Sequence, residues 1–136
     1  MRLDSKLMLR FTFVLGAVVD GGIAVSWFFI ASGISMPNIL NGYIGTGPDY
    51  QLAMYVSAMF MAGWTVVLAW GAINPIERRG LLLITSGFLV LSVIVEFAFY
   101  GNTLGGLGFM FGVSKRLIIS ALFTAAYLYS YKTKES

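Results

Sequence analysis

Four long apolar stretches divide this chain, and each can reach across a lipid bilayer. A spanning helix needs about 20 mostly apolar residues, because the hydrocarbon layer is about 30 Å thick. The stretches are 11–31, 52–73, 81–100 and 113–131. In the last, the mostly apolar stretch Leu117–Tyr131 is short for a span, so the helix is expected to begin one or two turns earlier, near Phe111. Backbone amides in hydrocarbon must be satisfied within their own segment, which predicts helices. The expected fold is all-α: one domain, residues 1–136, forming a four-helix transmembrane bundle in the cell membrane. A cleaved signal peptide is the rival reading of the first stretch. Asp20 in its middle, and its full spanning length, argue against that reading.

Composition points the same way. Hydrophobic residues make up 58% of the 136 and charged residues 11%. Soluble domains carry about 25% charged residues, and a soluble chain this short has too little interior to hide so much apolar surface. The bilayer is therefore the expected solvent and first partner. The length leaves no room for a soluble catalytic or DNA-reading domain beside the bundle.

The chain has no cysteine and no histidine. Disulfides, thiolate nucleophiles and imidazole acid–base catalysis are excluded, as are the usual zinc, copper and haem ligands. No cofactor is expected, no catalytic residue is assigned, and an enzyme is disfavoured. Gly42-Tyr43-Ile44-Gly45-Thr46-Gly47 is glycine-rich but follows no strand and lacks the lysine of a phosphate loop, so it reads as a loop.

The net charge of +3 reflects membrane topology and gives no reason to expect nucleic acid. Arg2, Lys6, Arg10, Arg78, Arg79, Lys132 and Lys134 fall on one side of the spans, Lys115 and Arg116 on the other. This asymmetry predicts that both termini are cytoplasmic. Asn74–Gly80 then reads as a tight inside turn, with Pro75 stopping the second helix and Gly80 freeing the chain to re-enter. The connection from Ser32 to Gln51 has no cation and keeps Ile34, Met36, Ile39, Leu40, Tyr43 and Ile44. It is expected to fold down as a cap over the helix ends, with a short interfacial helix at Pro37–Leu40. Asn102–Ser114 reads as an apolar glycine-rich loop. The Gly101/Gly105 and Gly108/Gly112 spacings match a close-packing motif, but flexibility is the preferred reading there.

Two acids lie inside spans. Intramembrane carboxylates are costly, so they face the bundle interior and often mark ion, proton or ligand paths. Asp20 lies roughly 13 Å along the helix from Phe11, close to mid-membrane. Gly16, Ala17, Gly21 and Ala24 around it leave room for a helix, water or ligand. Buried and unpaired, it would favour its neutral form and be a candidate proton carrier. Glu96 lies roughly 22 Å from Leu81, in the outer third of its span. Ser92 and Tyr100 extend its stripe at i±4. Arg116 and Ser120 head a stripe on span four, while Trp64 on span two is level with Asp20. Turning these stripes inward predicts a polar funnel open to the outside, with candidate ligand- or ion-binding residues Asp20, Trp64, Ser92, Glu96, Tyr100, Arg116 and Ser120. Glu96 is also expected to pair with Arg116 or Lys115. As polar glue, Asp20 would bond Trp64 or Thr65 instead. Trp27, Trp70, Tyr100, Tyr129 and Tyr131 read as interfacial belt residues.

Three functions fit. The first binds or translocates a small ligand, proton or cation through a polar intramembrane cavity. Four helices enclose a narrow pore at best, so transport would call for a homo-oligomer. The second is a structural or assembly subunit among partner membrane subunits. The third, a lipid-acting enzyme, would need Asp20 or Glu96 as its acid–base and has no nucleophile beyond ordinary hydroxyls.

Overall fold

The structure is a computed structural model, and residues 4–132 are described. Arg2 and Lys134, two of the cations counted above, lie outside that range. Four helices follow in order: α1 (Ser5–Ala31), α2 (Pro48–Ile73), α3 (Gly80–Tyr100) and α4 (Gly106–Lys132). Each is long and apolar enough to cross a membrane, and no strand occurs among the described residues. The protein is therefore an all-helical, multi-pass membrane bundle.

The helices run past the apolar stretches because their ends are capped locally. Asp4 accepts from the Lys6 amide at 3.0 Å, satisfying one amide left over at the start of α1. Pro48 opens α2, where a missing amide hydrogen costs nothing, after Gly47 at φ +92°. At the opposite end, arginines cover the last carbonyls. Arg10 donates to Ala72 O at 3.1 Å, Arg79 donates to Ser130 O at 3.3 Å, and Arg78 donates to Trp70 O while lying over the Trp70 ring. This turn end carries the 74–79 turn, and the opposite loop end carries the longer connections. Pro75 is fully buried in the turn, and Gly80 is the first helical residue of α3 without a positive φ. The turn buries its proline and makes no use of glycine's extra freedom.

Two expectations are corrected at the loop end. Gly106–Ser114 is helical, so α4 begins well before Phe111. The weak helix propensity of its glycines is overridden by packing, since they let the 32–47 connection approach closely. A Cβ on Gly112 would overlap Leu40 O, and one on Gly42 would lie 3.0 Å from the Gly108 backbone. The small-xxx-small spacing is thus used against a loop. That connection does cap the bundle, but with a turn at Ile39–Asn41 in place of the expected helix. Asn38 organises it: its backbone amide donates to Tyr43 O at 2.8 Å, and its side-chain oxygen accepts from the Leu40 amide and from Trp27 Nε1 at 3.1 Å. Trp27 is therefore a buried loop anchor and does not belong to the interfacial belt.

In packing, α1 lies against α2 and α4, and α3 lies against α4; α2 and α3 do not form a packed pair. Toward the turn end one core of Leu9, Phe13, Leu68, Leu82, Phe123 and Ala126 joins all four helices. Toward the loop end the core divides. Ile23, Trp27, Ile30 and Ala58 join α1 to α2, and Val93, Phe109 and Val113 join α3 to α4. The space between the two halves is where the candidate site lies.

Candidate functional site

A cavity of about 600 Å³ occupies that space. One wall is α2, with Ser57, Phe60, Met61 and Trp64; the facing wall is α3, with Thr85, Phe88, Leu89 and Ser92. Both sets repeat at three- and four-residue steps, the spacing of one helix face. Asp20 and Trp27 of α1 and Arg116 of α4 complete the back, and Leu40 comes from the capping connection. Phe60 is 78% exposed and Phe88 66%, and both sit in mid-helix on the flank of the bundle. The mouth between them therefore opens sideways, where lipid chains run. Leu40 of the capping connection also lines the cavity, so the space between the polar stripes takes the form of a cleft between α2 and α3, with the connection lying over its loop end as a roof.

The roof is built on Arg116, which is 2% exposed. Its Nε donates to Gly112 O at 3.3 Å, Nη1 to Ser92 Oγ at 3.0 Å, and Nη2 to Leu40 O at 3.2 Å and to the Glu96 carboxylate. The Arg116–Glu96 ion pair is the one formed among the described residues, as the sequence leads one to expect. Glu96 also accepts from Asn41 Nδ2 at 3.2 Å, and Lys115 donates to Ile39 O at 3.0 Å instead of pairing with an acid. A buried guanidinium is tolerable only when it is paired and well hydrogen-bonded, and the Glu96 carboxylate with three further acceptors, on three segments in all, does this. They also fasten the connection to α3 and α4.

The floor is different. Trp64 Nε1 donates to Thr85 Oγ1 at 3.1 Å, and that hydroxyl donates to Leu81 O at 2.7 Å. Thr65 donates to Met61 O at 2.9 Å. Both residues suggested as bridging partners of Asp20 are thus otherwise engaged. Asp20 is half-buried, lines the cavity, and makes no hydrogen bond or ion pair with any described residue. The small residues near it serve helix contact: Gly16 faces Phe123 and Leu68, and Gly21 faces Thr65. The open space at Asp20 comes from the separation of α2 and α3.

Of the seven residues singled out from the sequence, the cavity gathers Asp20, Trp64, Ser92 and Arg116, with Glu96 behind Arg116. Ser120 lies elsewhere. It is buried between α3 and α4, 2.6 Å from Ser86 Oγ, which also contacts Thr124 Oγ1 at 2.8 Å; this hydroxyl cluster joins the two helices. Tyr100 is exposed at the end of α3, and its carbonyl accepts from Thr103 and Leu104. Ser57, Phe60, Thr85 and Phe88 were not singled out, because one hydroxyl or phenylalanine within an apolar span carries no signal. Asn41, which reaches Glu96 across 55 residues of sequence, carried none either.

No three of Asp, Glu, His or Cys gather as a metal site among the described residues. The cavity offers one unmatched carboxylate, one guanidinium paired with Glu96, three hydroxyls (Ser57, Thr85 and Ser92) and mainly apolar walls. It can therefore bind and orient a guest, and no nucleophile–base pair is assembled in it. Comparison with protein-family models, curated proteins and solved structures returns no match.

Proposed function

We propose that this protein lies in the cell membrane with both termini cytoplasmic and binds a small ligand that enters the α2/α3 cleft from the hydrocarbon. The observation that carries this reading is Asp20, a carboxylate lining a cavity with no partner among the described residues. An ionisable group at that depth is expensive, and nothing in the fold uses it. The cavity volume falls within the roughly 300–1,000 Å³ usual for small-molecule sites. Translocation would require the cleft to open toward one aqueous side as well. The roof over Arg116, tied down through the single connection 32–47, is the element that would have to move.

Native mass spectrometry of the protein released from mild detergent tests this reading. Wild type should carry a small-molecule adduct that Asp20→Asn loses while keeping its helical content and elution volume. The competing reading, an assembly subunit, draws on the same flank, since Phe60 and Phe88 could receive a partner helix. Stoichiometric unrelated chains and no small-molecule adduct would favour that reading instead.

A further inference from the structure

Resting on that reading, we infer that the ligand is an amphiphilic organic cation: one positively charged nitrogen held at Asp20, with an apolar body lying between Phe60 and Phe88. The inference follows from which charges in the cavity are already answered. A guanidinium has five N–H donors, and Arg116 uses four of them. Nε donates to Gly112 O, one Nη1 hydrogen to Ser92 Oγ, and both Nη2 hydrogens to Leu40 O and Glu96, so that its charge is answered by the Glu96 carboxylate. Glu96 is matched in turn by Arg116 and Asn41. Of the charged groups that line the cavity, Asp20 alone is without a partner among the described residues, and what it lacks is a positive charge or a strong donor.

An anion would meet the unmatched Asp20 carboxylate, and the cation in the lining, Arg116, is already paired with Glu96. A neutral apolar guest would cover the half-buried Asp20 side chain from water and offer it no hydrogen-bond partner, which is unfavourable for the acid in either protonation state. One unmatched carboxylate matches one positive charge. A bare or hydrated metal ion does not suit the rest of the cavity, whose walls are largely apolar and whose rim is formed by the exposed rings of Phe60 and Phe88. A space of about 600 Å³ holds a guest of drug-like size. Trp64 on the floor and the rim phenylalanines add aromatic surface that favours a quaternary or protonated amine over an equally sized neutral group.

The test compares three probes with the same decyl chain: decyltrimethylammonium, decyl sulfate and decanol. Each is titrated by calorimetry into the full-length protein in lipid nanodiscs, with empty nanodiscs subtracted. The cation should bind saturably and at least about tenfold tighter than the other two, a difference of about 1.4 kcal/mol. Asp20→Asn should remove that preference and Asp20→Glu should restore it. The comparison of head groups on wild type needs no variant, so it decides even if Asp20→Asn folds poorly. Saturable binding of all three probes with similar affinity would overturn the cationic assignment while leaving a ligand-binding cleft. Absence of saturable binding by any probe would overturn both.

Discussion

The Trp64 indole donates to the Thr85 hydroxyl across 3.1 Å, joining α2 to α3 at a level where their backbones stand apart. The two helices follow one another in sequence through a tight turn, yet above that turn each packs on a different neighbour. This one bond forms the floor of the cleft and limits how far its mouth can spread.

Trp64→Phe keeps an aromatic ring in place and removes the donor. Thr85 still donates to Leu81 O, so no buried donor is stranded. The loss should be the modest one of a single hydrogen bond, about 1 kcal/mol, measured by denaturant titration in mixed micelles. A loss several times larger would mean that Trp64 holds the bundle by packing and not by this bond.

Glu96 and Arg116 should behave asymmetrically. Glu96→Ala leaves a buried guanidinium without its counter-charge and is expected to cost about 3–5 kcal/mol. Adding Arg116→Met to that variant should recover much of the loss, because the stranded charge is gone. A double-mutant cycle measures this, and simple additivity of the two losses would reject the coupling.

Gly112→Ala should be harmful although alanine is the better helix former by about 1 kcal/mol. A Cβ there meets Leu40 O and must push the capping connection away. Gly63→Ala, where a Cβ meets nothing within 4 Å, is the matched control and should be neutral or stabilising. Thermal unfolding of the two variants in one detergent gives the comparison.

How much of this was legible in the sequence depends on the range of the interactions. The four helices followed from hydropathy alone, because in hydrocarbon a long apolar segment has few other ways to satisfy its backbone. The Glu96–Arg116 pair was legible because each group is costly alone and both sit in the same third of their spans. Asp20 stood out for the same reason. The lateral cleft was not legible, since it depends on which helix pairs pack, and four amphipathic stripes fit several arrangements. The helical start of α4 was missed because its glycines weaken local propensity, and only contact with Leu40 and Gly42 makes their small size useful. Asn38 and Asn41 were missed because a loop amide shows its worth only when its distant partners are known.

Topology is open to a direct check. The cation asymmetry leads us to expect both termini on the cytoplasmic side. Reporters fused after Ser136 and inserted within Ile39–Gly47 should show opposite accessibility. An externally reactive C-terminus would reverse the orientation.

The central claim is that Asp20 faces a cavity entered from the hydrocarbon, and a spin label at Ser57 tests it most directly. The chain has no native cysteine, so Ser57→Cys carries the only label on the α2 wall of that cavity. Power saturation in lipid bilayers should show strong relaxation by oxygen, which concentrates in hydrocarbon, and weak relaxation by a water-soluble nickel chelate. Strong relaxation by the chelate would mean an aqueous funnel, and weak relaxation by both would mean a cleft filled by another helix; either result would contradict the lateral entrance.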